Sequence, residues 1–360
     1  MKRKLLTGGP RSYIVLASVF VVSCTPVFEE KMLQFPIMEI SNTSEPERII
    51  AEKVATDIVD LTGFAVLENK LISTSRFGAD HCLDVIDLKS GETLHQLCRA
   101  GRGPGEFLNL SPLFSITEEA AVVYDSMRGM VSEVCVDGEN VGDIIHQVKL
   151  EVPSGEGVPI IMTCYKVNEE NLVAYNSIQA PFEEVSIENP YYAVYDYETG
   201  FEKRAFHLFD ATPLSRTSEG VTMTAFDLRD CINYENNQVC FTMGKMPVFG
   251  FLDISSGEVR GFRLKGEQPF STKENRIYFT GVCARGQFIY ALYVGKSRSE
   301  LTPEACTTML YKLDWAGHIL NRFELDGFYR GCCAASDRIF LSKMEDAQTV
   351  ALYQLDINKL

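Results

Sequence analysis

A short alternating apolar run that ends in Asp and then turns at or near Gly occurs six times along this chain. The copies are Leu83-Asp84-Val85-Ile86-Asp87 before Ser90-Gly91-Glu92, Val134-Cys135-Val136-Asp137-Gly138-Glu139, and Ala193-Val194-Tyr195-Asp196 before Thr199-Gly200. They continue as Phe251-Leu252-Asp253 before Ser256-Gly257-Glu258, Tyr311-Lys312-Leu313-Asp314 before Gly317, and Tyr353-Gln354-Leu355-Asp356. The closing Asp residues stand 50, 59, 57, 61 and 42 positions apart. Strand-turn-strand content at such a period marks a β-propeller, in which each repeat is one four-stranded blade. A β-sandwich of similar strand content would not need a common period.

A second landmark keeps register with the first. A polar turn followed by an apolar run precedes each Asp: Glu68-Asn69, Glu118-Glu119, Glu169-Glu170, Asn236-Asn237, Arg285-Gly286 and Ser336-Asp337. The runs that follow are rich in aromatic and β-branched residues and read as strands. This turn is assigned to the link between a blade's first and second strands (A–B). The Asp-Gly turn then joins the third and fourth (C–D), where Gly supplies positive φ. The expected fold is all-β, a six-bladed propeller over residues 34–360.

The sixth copy is short. Only Ile357-Asn358-Lys359-Leu360 follow Asp356, too few for a turn and an outer strand. The missing strand is therefore expected from the N-terminal side. Gln34-Phe35-Pro36-Ile37-Met38-Glu39-Ile40 is the candidate, with residues 34–41 pairing beside 349–356 and so removing exposed edges.

Ahead of the repeats the chain reads as an address. Lys2, Arg3, Lys4 and Arg11 form a basic leader, and Tyr13 to Val22 form an apolar stretch too short to span a bilayer. The stretch ends at Val21-Val22-Ser23-Cys24, a lipobox-like sequence in which Cys24 would carry the lipid. Residues 1–23 are thus expected to be a signal peptide and residues 24–33 a tether. This places the protein at the cell envelope as a membrane-anchored lipoprotein, in either leaflet. No later run of 18 apolar residues exists. The whole chain carries −15, so loss of the four leader cations leaves −19. Such an acidic chain without a basic stripe repels nucleic-acid phosphate.

Candidate chemistry is sparse. Arg99-Ala100-Gly101-Arg102-Gly103-Pro104-Gly105-Glu106-Phe107 combines glycines and arginines in a way that suits either a backbone nest for an anion or a tight crossover between blades. No Gly-x-Ser-x-Gly elbow, no Cys-x-x-Cys pair and no Asp-x-Asp-x-Asp calcium loop occurs. Neither metal nor cofactor is expected, and the repeat's Asp residues read as turn formers. Ten cysteines remain after Cys24, mostly inside apolar alternation, where the thiol behaves as a small hydrophobe.

The Gly101-Arg102-Gly103-Pro104-Gly105-Glu106-Phe107 motif, after a lipobox and ahead of propeller repeats, resembles the TolB-like six-bladed β-propeller lipoproteins of Bacteroidetes-type bacteria. The resemblance covers nearly all of the chain after the signal. It implies a cell-envelope lipoprotein and brings no catalytic residues with it.

Within a propeller the B–C and D–A connections share one face, and here they include the long segments Asn176 to Pro190, Asp210 to Arg216 and Gly295 to Ala305. Long loops on a rigid scaffold are where binding usually resides. Arg102, Glu106, Tyr191, Tyr192, Arg216, Lys296 and Arg298 are the expected recognition residues, for an envelope protein, a peptide or a glycan. The chain therefore reads as a binding or scaffold module. The alternative is a propeller hydrolase or lyase acting on a glycan or small molecule at the central channel. Three or more converging Asp, Glu, His or Asn side chains at the channel mouth would mark the enzyme.

Overall fold

A computed structural model describes residues 33–41, 45–54, 61, 63–75, 79–151, 160–177, 191–208, 228–267, 276–302, 306–346 and 349–360. Six antiparallel sheets follow one another along the chain, and each is one blade. In blade one the strands A to D are Phe64–Leu67, Lys70–Thr74, His81–Asp87 and Thr93–Arg99. Blade two has Ser115–Ile116, Ala120–Asp125, Met130–Cys135 and Ile144–Lys149; blade three has Ile160–Asn168, Asn171–Ser177, Tyr191–Asp196 and Glu202–His207. Blade four comprises Leu228–Asn233, Gln238–Met243, Val248–Asp253 and Val259–Leu264, and blade five Arg276–Arg285, Phe288–Ser297, Thr307–Asp314 and Ile319–Asp326. Blade six supplies only Phe328–Ala335, Arg338–Met344 and Val350–Asp356 from the C-terminal part of the chain.

The core is not one mass but six, each between successive blades. Val66, Leu71 and Ile86 of blade one meet Phe340, Val350 and Leu352 of blade six, so the ring closes on the same kind of apolar contact that joins every other pair. Between blades three and four the side chains of Tyr175, Tyr192, Phe206 and Phe241 interdigitate.

The two sequence landmarks touch in space. The backbone N–H after strand C donates to the A–B turn in blade one (Leu88 to Asn69, 2.9 Å), blade three (Tyr197 to Glu170, 3.0 Å), blade four (Ile254 to Asn237, 2.9 Å) and blade six (Ile357 to Asp337, 2.8 Å). In blade five the Trp315 indole N–H does the equivalent, donating to the Gly286 carbonyl at 3.2 Å. Both sets of turns therefore lie on one face. The Asp carboxylates cap their own turns, as expected: Asp87 accepts from the N–H groups of Lys89 (2.9 Å) and Ser90 (2.6 Å), and Asp253 from Ser255 and Ser256 (2.9 and 2.8 Å). Blade two keeps the turn-to-turn contact (Val136 N–H to the Glu119 carbonyl, 2.8 Å) but has no Asp at the end of strand C. Its strand C ends at Cys135, which exchanges the closing backbone bonds with Asp143 and Gly142. Asp137 sits two residues later and pairs with Lys70 of blade one.

These capped carboxylates are expected to weaken the fold in acid. The Ser90 N–H and hydroxyl hold Asp87 below the usual carboxylate range, and Lys203 with Thr199 does the same for Asp196. A depressed native pKa contributes stability above the unfolded value of about 4, which is lost as pH falls through the native value. The melting temperature should drop below pH ~4, and Asp196→Asn should flatten that slope while lowering stability at neutral pH.

Closure corrects the expectation. Residues 34–41 do not pair beside 349–356. Ile37–Ile40 instead adds as a parallel fifth strand outside Val259–Leu264 of blade four, with Ile37 opposite Gly261. Glu47–Arg48 then adds parallel to Ile319–Asp326 of blade five. Only Glu52–Lys53 closes blade six, antiparallel to Val350–Asp356, with Lys53 opposite Tyr353. The missing strand does come from the N-terminal side, but after the chain has run along two earlier blades.

The reason is steric and electrostatic. Phe35 packs edge-on against Phe241, its ring 5.7 Å away. It can do so because residue 261 is glycine: a Cβ there would fall 2.5 Å from the Phe35 ring. Arg263 holds Glu39 at 2.7 Å. Each outer strand that the segment covers would otherwise expose an unpaired edge.

Candidate functional site

Strand A of every blade lines the central channel, a cavity of about 260 Å³ to which all six blades contribute. Each strand A enters from the B–C and D–A face and leaves at the A–B turn. Its early residues therefore lie toward the loop face. Among the described residues that line the channel there is one carboxylate, Asp230, and two guanidinium groups, Arg229 and Arg330.

Asp230 is the third residue of strand A in blade four. Blade three fixes it. The Thr163 hydroxyl lies 2.8 and 3.0 Å from the two carboxylate oxygens, Tyr165 donates to Oδ1 at 2.8 Å, and Tyr192 donates to Oδ2 at 2.8 Å. Burial raises the Asp230 carboxyl above the usual range, and the three hydroxyl donors and Arg229 pull it partly back. Burial and the neighbouring Asp230 charge push both tyrosine hydroxyls well above their ordinary range, so they remain donors. Together they form a polar seam between blades three and four. The three converging acids, amides or imidazoles that would mark a catalytic mouth are not among the described lining residues.

The glycine-rich connection between blades one and two is a self-filled nest. The Gly103 N–H donates to Glu106 Oε2 at 2.6 Å, and Arg99 Nε lies 3.5 Å from the other oxygen. A Cβ on Gly101 would stand 2.1 Å from the Glu106 carboxylate, so a larger residue there would displace that side chain. Arg128 closes the loop from outside by donating to the Gly101 and Gly103 carbonyls at 3.3 and 3.2 Å. The anion that this motif suits is its own glutamate. Glu106→Ala should cost about 1–2 kcal/mol, the scale of a charge-assisted hydrogen bond left unmade, measurable by urea denaturation.

The other expected recognition residues separate. Arg102 is exposed on that connection, and Arg298 is exposed in a short 3-10 turn after strand B of blade five, beside the partly buried Lys296. Arg102 and Arg298 stand on well-separated parts of the ring and form no common patch. Tyr191 and Tyr192 do not face the loop surface at all. They belong to strand C of blade three, where Tyr191 packs on His207 with ring centroids 5.1 Å apart and Tyr192 is fully buried against Asp230. Alternation in a strand whose two faces both meet neighbouring blades buries both residues. Arg216, most of the 176–190 and 210–216 segments, and Cys24 with the leader lie outside the described residues.

Sequence reasoning passed over Asp230, Arg229 and Arg330. The available signal is a charged pair, Arg229-Asp230, set inside the otherwise apolar strand Leu228–Asn233.

All ten described cysteines carry free thiols, seven of them buried. Cys231 and Cys240 face each other across strands A and B of blade four.

No protein-family model and no curated protein matches the sequence. Solved structures share the architecture. A member of the DUF4221 family from Bacteroides vulgatus aligns over 86% of this chain and 96% of its own length, with a TM-score of 0.59 at 11% identity. A candidate exported protein from Bacteroides fragilis aligns over 89% and 99%, with a TM-score of 0.53 at 12% identity. At such identities the likeness is one of fold, and the fold of this chain is a six-bladed β-propeller.

Proposed function

We propose that this protein is an exported cell-envelope lipoprotein of the TolB-like propeller kind, anchored through Cys24, that acts as a binding or scaffold module through its loop face. The observation that carries the reading is the asymmetry of the two faces. On one face the described A–B and C–D turns are short, and most turn carboxylates are spent on their own backbone N–H groups. The longer connections all emerge on the other face, where Arg102 and Arg298 stand exposed. A rigid ring with one self-satisfied face and one variable face suits recognition of a protein, peptide or glycan. The basic leader and Val21-Val22-Ser23-Cys24 support the address, and the structural neighbour described as a candidate exported protein agrees with it.

Two experiments test the two halves. Radiolabelled palmitate should enter the wild-type protein and not Cys24→Ala, which should leave the membrane fraction; equal labelling of both would refute the anchor. A glycan and peptide array should identify a ligand whose binding weakens in Arg102→Gln or Arg298→Gln. Binding that survives both changes would remove the face assignment.

A further inference from the structure

Among the described residues the channel mouth on the loop face carries two arginines and one acid, and that acid is already hydrogen-bonded. Arg330 is the third residue of strand A in blade six and Arg229 the second in blade four, so both lie on the loop-face half of the channel. Arg330 is exposed and has no hydrogen-bond or ion-pair partner among the described residues. Arg229 donates to the Leu228 carbonyl at 3.1 Å through one nitrogen. Asp230 does not pair with Arg330, because its oxygens are held by three hydroxyl groups of blade three. Phe64, Phe114, Tyr165 and Val282 add apolar and aromatic wall below the arginines.

We infer that the channel is a binding site for a small carboxylate whose charged group meets the Arg330 guanidinium, with Arg229 on the same half of the channel, and whose body lies against the aromatic wall. A planar guanidinium presents two parallel N–H donors matched to a carboxylate, and the partly enclosed channel strengthens that pair relative to open water. The cavity of about 260 Å³ sets the size. It falls below the ~300–1,000 Å³ usual for drug-sized ligands, so a monosaccharide acid or a single-ring aromatic acid fits and an oligomer does not. This goes beyond recognition by the loops and does not require it.

The test is calorimetric titration of the full mature chain with glucuronate and with 4-hydroxybenzoate, each beside its uncharged counterpart, glucose and 4-hydroxybenzamide. At least one acid should bind, its neutral counterpart should not, and added salt should weaken the binding. Arg330→Gln should weaken it by about tenfold or more, Arg330→Lys by less because charge remains without the fork, and Arg102→Gln not at all. Arg330→Gln should melt with the wild type, since the side chain holds nothing else in place. The inference is overturned if neither acid binds, if the neutral compounds bind equally well, or if Arg330→Gln leaves affinity unchanged. An effect of Arg102→Gln equal to that of Arg330→Gln would move the site from the channel to the loops and overturn it too.

Discussion

Asp230→Ala loses about 3–5 kcal/mol of stability, the range for removing one partner of a buried polar network. The change removes the carboxylate on which the hydroxyls of Thr163, Tyr165 and Tyr192 all converge, stranding Thr163 and Tyr192 and leaving Tyr165 only its 3.1 Å bond to the backbone carbonyl of residue 230. Two of the three belong to tyrosines that are largely or wholly buried, so water cannot easily replace the lost acceptor. Asp230→Asn should cost much less, because one oxygen remains and the tyrosine hydroxyls can turn to accept from the amide. The native pKa of Asp230 is raised, so the wild type gains stability from it at low pH and loses that contribution as pH rises through the native value. Asp230→Asn should be indifferent over the same window. Denaturant midpoints for the three proteins at pH 4 and pH 7 measure all of this. A loss under about 1 kcal/mol for Asp230→Ala would mean that the seam is wet and does not hold blades three and four together.

A chain that begins at residue 55 is expected not to reach a monomeric native state, whereas one that begins at residue 33 should fold. The shorter chain lacks Glu52–Lys53, leaving the third strand of blade six with an unpaired edge. It also lacks Leu33, Phe35, Ala51 and Val54, all buried among three separate inter-blade cores. Burying side chains of this kind contributes about 1.5–3 kcal/mol for each large one, which together approaches the whole stability of an ordinary domain. Circular dichroism melting and size-exclusion chromatography distinguish the outcomes. A cooperative transition from a monomer starting at residue 55 would show that the ring closes without its N-terminal strand.

The fold was legible because it repeats. Six copies of a local pattern carry their own check: the turn after Asp87 needs only Lys89, Ser90 and Gly91 to be read. Even here, blade two slipped by two residues, since Val136 and Asp137 mimic the pattern while Cys135 closes the strand. Closure was half legible. The truncated last copy demands an N-terminal strand, but which segment supplies it depends on Phe35 finding the space over Gly261, more than two hundred residues away. The channel was not legible. Asp230 meets partners 67, 65 and 38 residues distant, two from strand A and one from strand C of blade three, and no local spacing links them to it. Tyr191-Tyr192 misled for a related reason. Two adjacent tyrosines look like a recognition surface, but a blade sandwiched between two others has no outer face on which to show them.

The path of the N-terminal segment also decides how the propeller would respond to tension. If the chain is anchored at Cys24, the nine residues to Leu33 would reach about 30 Å at full extension, and the rim of blade four is where the tether would meet the ring. Any pull from the lipid would arrive first at Ile37–Ile40, whose ladder to blade four lies along the direction of the chain and is reinforced by Phe35 and the Glu39–Arg263 pair. Blade five takes up what remains through Glu47–Arg48. The two residues that seal the ring would thus be the last to feel a force applied through such an anchor.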